Sequence, residues 1–215
     1  MSISYADVAK LLSEIGVVKF GGFKLRIHQT NPDAPLSPYY LSFRRLPRGP
    51  LDDYYIGKLT KTLYDFASSL GLRFDAVSGV PNAGDPFAAV LAGLANVPLI
   101  QLAKHDEGEE RHIVGVVPER RQVLPRSRVL LIDDLITHGD TKREAVLVLR
   151  EAGCIVTDTL VFVDREQGGF EELARESVAV RAIWRISELF RFYRELEMIN
   201  EETYRKAVLY LEANR

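Results

Sequence analysis

The chain has 215 residues with 28 Lys and Arg against 30 Asp and Glu, and its formal net charge is −2. Hydrophobic residues make up 47% and charged residues 27%, which matches globular domains and excludes wholesale disorder. The near-neutral balance provides no basic surface, so neither nucleic acid nor a membrane is an expected partner. The single Cys154 excludes an internal disulfide and a CxxC zinc pair. With no leader-like start and no apolar run of about 18 residues, the expected location is cytoplasmic.

The first third of the chain predicts two helices separated by short strands. Ser4 is a candidate N-cap, and apolar residues at helical spacing follow it until Gly16. Short strands are expected at 17–20, 23–27 and 39–43. A loop with three prolines occupies 28–38, and 51–70 is a long amphipathic helix.

From residue 75 onwards, strands and helices alternate. Strands are expected at 75–78, 99–102, 129–132 and 155–163, and helices at 83–95, 141–152 and 184–215. A polar loop at 103–112 leads to a hairpin piece at 113–117. Continuous β-branched runs separated by helices are typical of a buried parallel sheet. The sequence therefore predicts an α/β fold, with a twisted, mostly parallel sheet flanked by helices in a single domain.

Ligands of such a sheet bind beyond the carboxyl ends of its strands, which here are followed by loops at 79–84, 103–112 and 133–141. The strongest motif is VLLIDDLITHGDTK at 129–142, where an apolar strand ends in Asp133 and Asp134. The N–H groups at the following helix start favour an anion, and Gly139 lets the backbone approach a phosphate. Paired carboxylates accept hydrogen bonds from vicinal sugar hydroxyls. The motif therefore predicts a site for a sugar phosphate.

This run resembles the signature of type I phosphoribosyltransferases, which bind 5-phosphoribosyl-1-pyrophosphate (PRPP). Further segments resemble the orotate phosphoribosyltransferases, in the order of that family: GFKL at 22–25, SPYY at 37–40, GVPNAG at 79–84 and VDREQGG at 163–169. The matches cover most of residues 5–200. The resemblance implies the type I phosphoribosyltransferase fold, with a hood from residues 1–45 plus C-terminal pieces and a PRPP-binding core at 70–170.

The resemblance also implies a reaction, in which the phosphoribosyl group passes from PRPP to orotate to give orotidine 5′-monophosphate and pyrophosphate. Mg²⁺ would be carried mainly by PRPP, and the sequence assigns no metal ligands in the chain. Asp133 and Asp134 would hold the ribose hydroxyls. The 5′-phosphate loop would comprise Thr137, His138, Gly139, Asp140 and Thr141, and the pyrophosphate loop Val80, Pro81, Asn82, Ala83 and Gly84. The base would be held by Arg26, Tyr39, Tyr40 and Arg165, where the Arg165 fork suits the orotate carboxylate.

The loop after Leu102 departs from the family pattern. Relatives carry a basic run with a catalytic lysine there, on a mobile lid that closes over the partner subunit's site, which implies a homodimer. Here the lysine position falls on Glu107 or, with a two-residue deletion, on His105, and only Lys104 matches a basic position. Lys104 and His105 are therefore the catalytic candidates. Four acids in this loop raise the barrier to pyrophosphate departure unless the loop stays open or Mg²⁺ screens them.

Simpler interpretations exist for each motif. The Asp-Asp loop can be a capped helix start, 79–84 a plain turn, Arg165 a solvated strand-end charge, and Tyr39 and Tyr40 core aromatics. Two other functions also stay open. The altered lid and the 28–36 loop allow a phosphoribosyltransferase for another nucleobase, and the missing lid lysine allows a PRPP- or nucleotide-binding regulator that has lost catalysis.

Overall fold

The structure is a computed structural model that describes residues 4–107, 110–116 and 126–214, without the side chains of residues 26, 27, 106, 107, 110 and 111. Its helices are α1 (Tyr5–Glu14), α2 (Asp53–Ser69), α3 (Asp85–Ala95), α4 (Asp140–Glu151), α5 (Gly169–Arg175), α6 (Ile186–Glu195) and α7 (Glu201–Ala213). Its strands are β1 (Val18–Phe23), β2 (Ser37–Leu41), β3 (Ala76–Gly79), β4 (Leu99–Ile100), β5 (Leu102–Glu107), β6 (Glu110–Val116), β7 (Arg128–Ile132), β8 (Leu135–Ile136), β9 (Ile155–Asp164) and β10 (Ala179–Arg185). None of the helices in these ranges is both long and apolar enough to pass through a bilayer.

Six of the described strands form one parallel sheet, in the order β10-β9-β7-β3-β4, with β8 beside β9. The central strands are apolar because helices cover both faces of the sheet. Strand β9 shows this best, since its last six residues are all buried. The predicted α/β fold with a mostly parallel sheet is confirmed.

The long second helix follows directly from its sequence. The side chain of Asp52 accepts the N–H of Tyr55 at 2.9 Å and so caps the first turn. Ile56, Leu59 and Leu63 then recur on one face and are buried. The helix predicted at 51–70 is confirmed as α2, and the Ser4 cap of α1 is confirmed by its bond from the Asp7 N–H.

The two ends of the chain pack against each other. Strands β1 and β2 pair antiparallel, outside the main sheet. The Tyr39 ring of β2 lies edge-on to Phe190 of α6, with centroids 4.8 Å apart, and to Tyr210 of α7 at 5.9 Å. The hydroxyl of Tyr193 donates to the carbonyl of Ala9 in α1 at 2.7 Å. This packing places the N-terminal elements against the C-terminal helices α6 and α7.

Three local predictions are wrong. The strand predicted at 23–27 ends at Phe23, and Arg26–Gln29 form a short 3-10 helix in which His28 Nδ1 lies 2.9 Å from the Leu25 N–H. The helix predicted at 184–215 is two helices in the described residues, α6 and α7, and Trp184 belongs to β10 rather than to a helix. The polar loop predicted at 103–112 is an antiparallel hairpin of β5 and β6 in the described residues, in which Lys104 pairs with Ile113. Leu102 and Ile113 of this hairpin are buried, whereas His112 and Val114 on either side of Ile113 are exposed, which is the alternation of a strand.

Candidate functional site

Three loops meet at the carboxyl edge of the sheet, after β3, β7 and β9. The N–H of Val80, after β3, donates to the carbonyl of Ile132 at the end of β7, at 2.9 Å. The N–H of Arg165, after β9, donates to the carbonyl of Ile136 at 2.9 Å. These backbone bonds hold the predicted pyrophosphate, ribose and base segments side by side.

The acid pair after β7 occupies the middle of this edge. Asp133 is 5% exposed; its Oδ2 lies 2.5 Å from Lys142 Nζ, and its Oδ1 accepts the Asp134 N–H at 2.9 Å. Asp134 is half-buried, and its Oδ1 accepts the Leu135 N–H at 2.7 Å. The two neighbouring acids are therefore in different positions, one enclosed and one nearer the surface.

The charges around the acid pair are crowded. Burial, and then the neighbouring charge of Asp133, raise the pKa of Asp134 above its ordinary value, and Lys142 opposes the rise. Burial and the charge of Asp133 also raise the pKa of Asp85, in the first turn of α3, to about 6, while Lys104 opposes that rise. The edge thus holds three carboxylates and two lysines, a charge arrangement suited to a polar ligand.

The loop between β8 and α4 is shaped for an anion. Gly139 adopts φ +95°, and no side chain in the described residues caps α4, so the first N–H groups of the helix remain available. A Cβ at Gly139 would lie 3.3 Å from the Gly169 backbone, because the loop packs against the segment after β9. Nδ1 of the exposed His138 lies 2.9 Å from the Gln167 carbonyl and must donate to it, which fixes the ring between the two loops. The structure places Thr137, Asp140 and Thr141 at or near the surface of the same loop.

The loop between β3 and α3 is equally tight. A Cβ at Gly84 would lie 2.2 Å from the Ile132 carbonyl, so only glycine lets this loop approach β7 so closely. Helix α3 also starts without a side-chain cap among the described residues. Val80 and Pro81 are buried, Ala83 is half-buried and Asn82 is exposed. Lys104, from the β5–β6 hairpin, donates to the Pro81 carbonyl at 3.2 Å, which joins the hairpin to this loop, and His105 lies exposed next to it.

The predicted base-binding residues are only partly together. The Arg165 guanidinium lies over the Tyr39 ring at 5.7 Å, and its buried Nε has no hydrogen-bond partner in the described residues. Tyr39 is 1% exposed, so it is also a core residue, and burial raises its pKa. Tyr40 points to the other face of β2, where its ring contacts Phe23 at 5.7 Å. The side chain of Arg26 lies outside the described residues.

Metal binding can be tested against the donors present. Within the described residues, no group of three or more His, Cys, Asp or Glu is arranged to hold a metal ion. Magnesium takes oxygen ligands and often keeps one or two carboxylates with several phosphate oxygens and waters. The carboxylates of Asp133 and Asp134 are oxygen donors of this kind, so the residues present fit Mg²⁺ bound together with a diphosphate.

Sequence reasoning missed two site residues, Lys142 and Asp85. Lys142 is 6% exposed, and helical spacing places it on the face of buried Ala145, Val146 and Leu149. That spacing could have indicated a buried lysine. Asp85 starts α3 and therefore looks like an ordinary first-turn acid.

Comparison with known proteins defines the class. Residues 55–188, more than half of the chain, match the phosphoribosyl transferase domain, so the chain belongs to the phosphoribosyltransferase family. An orotate phosphoribosyltransferase of Sulfolobus acidocaldarius is 30% identical over 91% of this chain and 91% of its own length. One from Pyrobaculum aerophilum is 32% identical over 94% of this chain and 96% of its own.

Two further matches concern the fold and the length. The crystal structure of orotate phosphoribosyltransferase from Aeropyrum pernix superposes with a TM-score of 0.71 at 28% identity, covering 90% of this chain and 99% of that one. Uridine 5′-monophosphate synthase of Bos taurus is 27% identical over 94% of this chain, but the chain spans only 40% of that protein. The predicted phosphoribosyltransferase fold is confirmed.

Proposed function

We propose that this protein is an orotate phosphoribosyltransferase, which transfers the 5-phosphoribosyl group of PRPP to orotate in UMP synthesis. One observation carries the proposal: an acid pair, a glycine-led helix start and a half-buried arginine meet at one sheet edge, and in the described residues neither the helix start has a side-chain cap nor the arginine Nε a hydrogen-bond partner. Relatives of that name at about 30% identity over most of the chain support the same activity.

The phosphoribosyl group would lie across the loop after β7. The N–H groups that follow Gly139 and the hydroxyls of Thr137 and Thr141 would receive the 5′-phosphate. The acid pair Asp133 and Asp134 would face the ribose hydroxyls. His138 would support the loop through its bond to Gln167, and Asp140 would start the helix.

The pyrophosphate would lie over the loop at 80–84. The uncapped N–H groups at the start of α3 and the ammonium of Lys104 supply positive charge there. His105 is the neighbouring candidate on the hairpin. Mg²⁺ bound to the diphosphate would neutralise part of its charge.

The base would lie against Arg165, over Tyr39. The guanidinium can hold a planar carboxylate with two parallel hydrogen bonds, and its buried Nε has no hydrogen-bond partner within the described residues. Arg26 and Tyr40 remain predicted base contacts on the N-terminal side.

The reaction makes two demands on these groups. As the bond from C1′ to pyrophosphate breaks, its electron pair leaves with pyrophosphate, positive charge develops on the ribose, and orotate attacks C1′. Fixed donors at the pyrophosphate and carboxylates at the ribose stabilise the two opposite charges without reorganising. The residues of the chain therefore bind, orient and stabilise charge.

Several expectations from the resemblance stay predictions alongside this function. These are the requirement for Mg²⁺, the homodimer, and the division into a hood (residues 1–45 and C-terminal pieces) and a PRPP-binding core (70–170); the cytoplasmic location, expected from the sequence, stays a prediction too.

The test is a steady-state assay that follows loss of orotate absorbance with PRPP and Mg²⁺. We expect turnover in the wild type, its collapse in Asp134→Ala and Arg165→Ala, and no change in Lys206→Ala, which alters an exposed pair on α7. Turnover with another nucleobase and none with orotate would overturn the proposed base. No turnover, with PRPP still bound by calorimetry, would favour the regulator.

A further inference from the structure

A buried ion pair lies directly behind the predicted ribose site. Lys142, in the first turn of α4, and Asp133, after β7, have side chains that are each 7% exposed, with Nζ and Oδ2 2.5 Å apart. A buried lysine is costly unless an opposite charge is paired with it. The family resemblance assigns no role to Lys142, although this lysine is buried beside the acid pair.

The pair leaves Asp133 little capacity for a ligand. Lys142 occupies its Oδ2, the Asp134 N–H occupies its Oδ1, and the residue is 5% exposed. Asp134 differs, because the bond that its Oδ1 accepts from the Leu135 N–H comes from the neighbouring backbone and not from a lysine. Asp134 is also more exposed than Asp133.

We propose that Lys142 is a positioning residue that holds and neutralises Asp133, so that Asp134 alone of the acid pair receives the ribose hydroxyls. The inference rests on the proposed function where it names ribose as the ligand. The family resemblance gives both acids contact with the ribose hydroxyls, whereas this proposal gives that contact to Asp134 and a supporting position to Asp133.

Electrostatics supports this division. The charge of Asp133 raises the pKa of Asp134 and the charge of Lys142 lowers it. The other charged groups at this edge are Asp85 from α3, which faces Asp133, and Lys104 from β5, which faces Asp85. Without Lys142, the charge of Asp133 would act on Asp134 without the opposing positive charge, and Asp134 would hold its proton to higher pH.

The experiment is a cycle of Lys142→Met, Asp133→Asn and the double variant, with Lys206→Met on the surface of α7 as the matched control. In Lys142→Met, we expect the acid limb of the pH profile of kcat/KM for PRPP to move up by about one pH unit. In the double variant, which leaves neither buried charge, we expect the limb to return to within a few tenths of a unit of wild type, with kcat/KM at its plateau within about tenfold.

A second measurement does not depend on activity. The carboxyl ¹³C resonance of Asp134, assigned from its loss in Asp134→Asn, is titrated in the same variants. We expect the pKa of Asp134 to rise in Lys142→Met and to return in the double variant. If the wild type transfers phosphoribose to no base, the proposed function fails, while this titration still decides the role of Lys142.

Two outcomes would overturn the inference. A double variant that folds but binds PRPP at least a hundredfold more weakly than wild type, by calorimetry, would mean that Asp133 itself contacts the ribose. An unchanged Asp134 titration in Lys142→Met would remove the positioning role. If Lys142→Met does not fold, the double variant still decides the question through its PRPP affinity.

Discussion

Acids at the two ends of the parallel sheet have opposite electrostatic environments. At the amino end, Asp75 receives Nε of Arg128 at 3.0 Å and Nη2 at 2.9 Å, and these hydrogen bonds lower the pKa of Asp75 to about 2. At the carboxyl end, burial and the charge of Asp133 raise the pKa of Asp85 to about 6. The fold therefore stabilises the charged form of Asp75 and destabilises the charged form of Asp85.

The difference shows that the charges at the amino end of the sheet contribute to stability, whereas those at the carboxyl end are placed for binding. The amino end satisfies its charges internally, in a pair that also ties β3 to β7. The carboxyl end keeps carboxylates and helix N–H groups that a charged ligand would complete, and perturbed titration in a cleft is typical of functional sites. Substitutions at the two ends should therefore have different consequences.

The largest expected difference concerns turnover. Asp134→Asn should lower kcat/KM by about 10²–10³, because one fixed group that stabilises developing charge is worth about 3–4 kcal/mol. Asp75→Asn, the matched change at the amino end, should leave kcat/KM within about twofold, because Asp75 lies far from the loops that hold substrate. Steady-state kinetics on both variants measures this, and equal losses would refute a carboxyl-edge site.

The next difference concerns backbone packing. Gly84→Ala should lower the free energy of unfolding by about 3 kcal/mol, because its Cβ would meet the Ile132 carbonyl at 2.2 Å and the loop must shift. Gly153→Ala, at the amino end, should cost about 1 kcal/mol, since its φ of +86° is strained for alanine but nothing lies within 4 Å of the new Cβ. Urea unfolding compares the two, and an equal or reversed order would contradict the close approach at Gly84.

The smallest expected difference is in how stability depends on pH, because the contributions of Asp85 and Asp75 change in opposite directions as pH rises. The raised pKa of Asp85 means that the folded state binds its proton more tightly, so its contribution to stability falls as pH rises from about 4 to 6. Asp85→Asn should therefore gain in Tm relative to wild type over that range.

The lowered pKa of Asp75 means that this residue contributes stability above about pH 4, and that the contribution is lost as pH falls towards 2. Asp75→Asn should therefore lower Tm at pH 7 and have little effect near pH 2.

Scanning calorimetry between pH 2 and pH 7 checks both trends. Lys206→Met provides a surface control that should shift Tm little at any pH in this range. Parallel curves for the two aspartate variants would show that the two ends do not differ electrostatically.

The sheet and most helices were predictable because their determinants are local. Helix α2 has a capping aspartate, a regular apolar face and a terminal glycine, and β9 is a continuous apolar run. The complete β5–β6 hairpin was not predictable, because a strand pair with one polar face has the same composition as a loop. The hairpin piece predicted at 113–117 overlaps its second strand, β6, whereas its first strand, β5, was predicted as a loop.

The site was predictable as a set of loops and less so as a set of contacts. The sequence motifs identified the loops that meet beyond β3, β7 and β9, since parallel strands end on one edge. The Lys142–Asp133 pair and the Tyr39–Arg165 contact depend on tertiary packing between separate elements. A lysine in the first turn of a helix usually reaches solvent, so the spacing of Lys142 could indicate the buried face but not its partner Asp133.

The contact of the N-terminal strands with the last helices has a consequence for biosynthesis. The loops that would hold PRPP lie within residues 79–169, one continuous stretch that a ribosome completes before it makes α6 and α7. The wall behind the base needs Tyr39 to meet Phe190 and Tyr210, a contact between distant parts of the chain that forms late. A nascent chain would therefore assemble its phosphate cradle before its base pocket, and would gain selectivity among bases only when the final helix emerges.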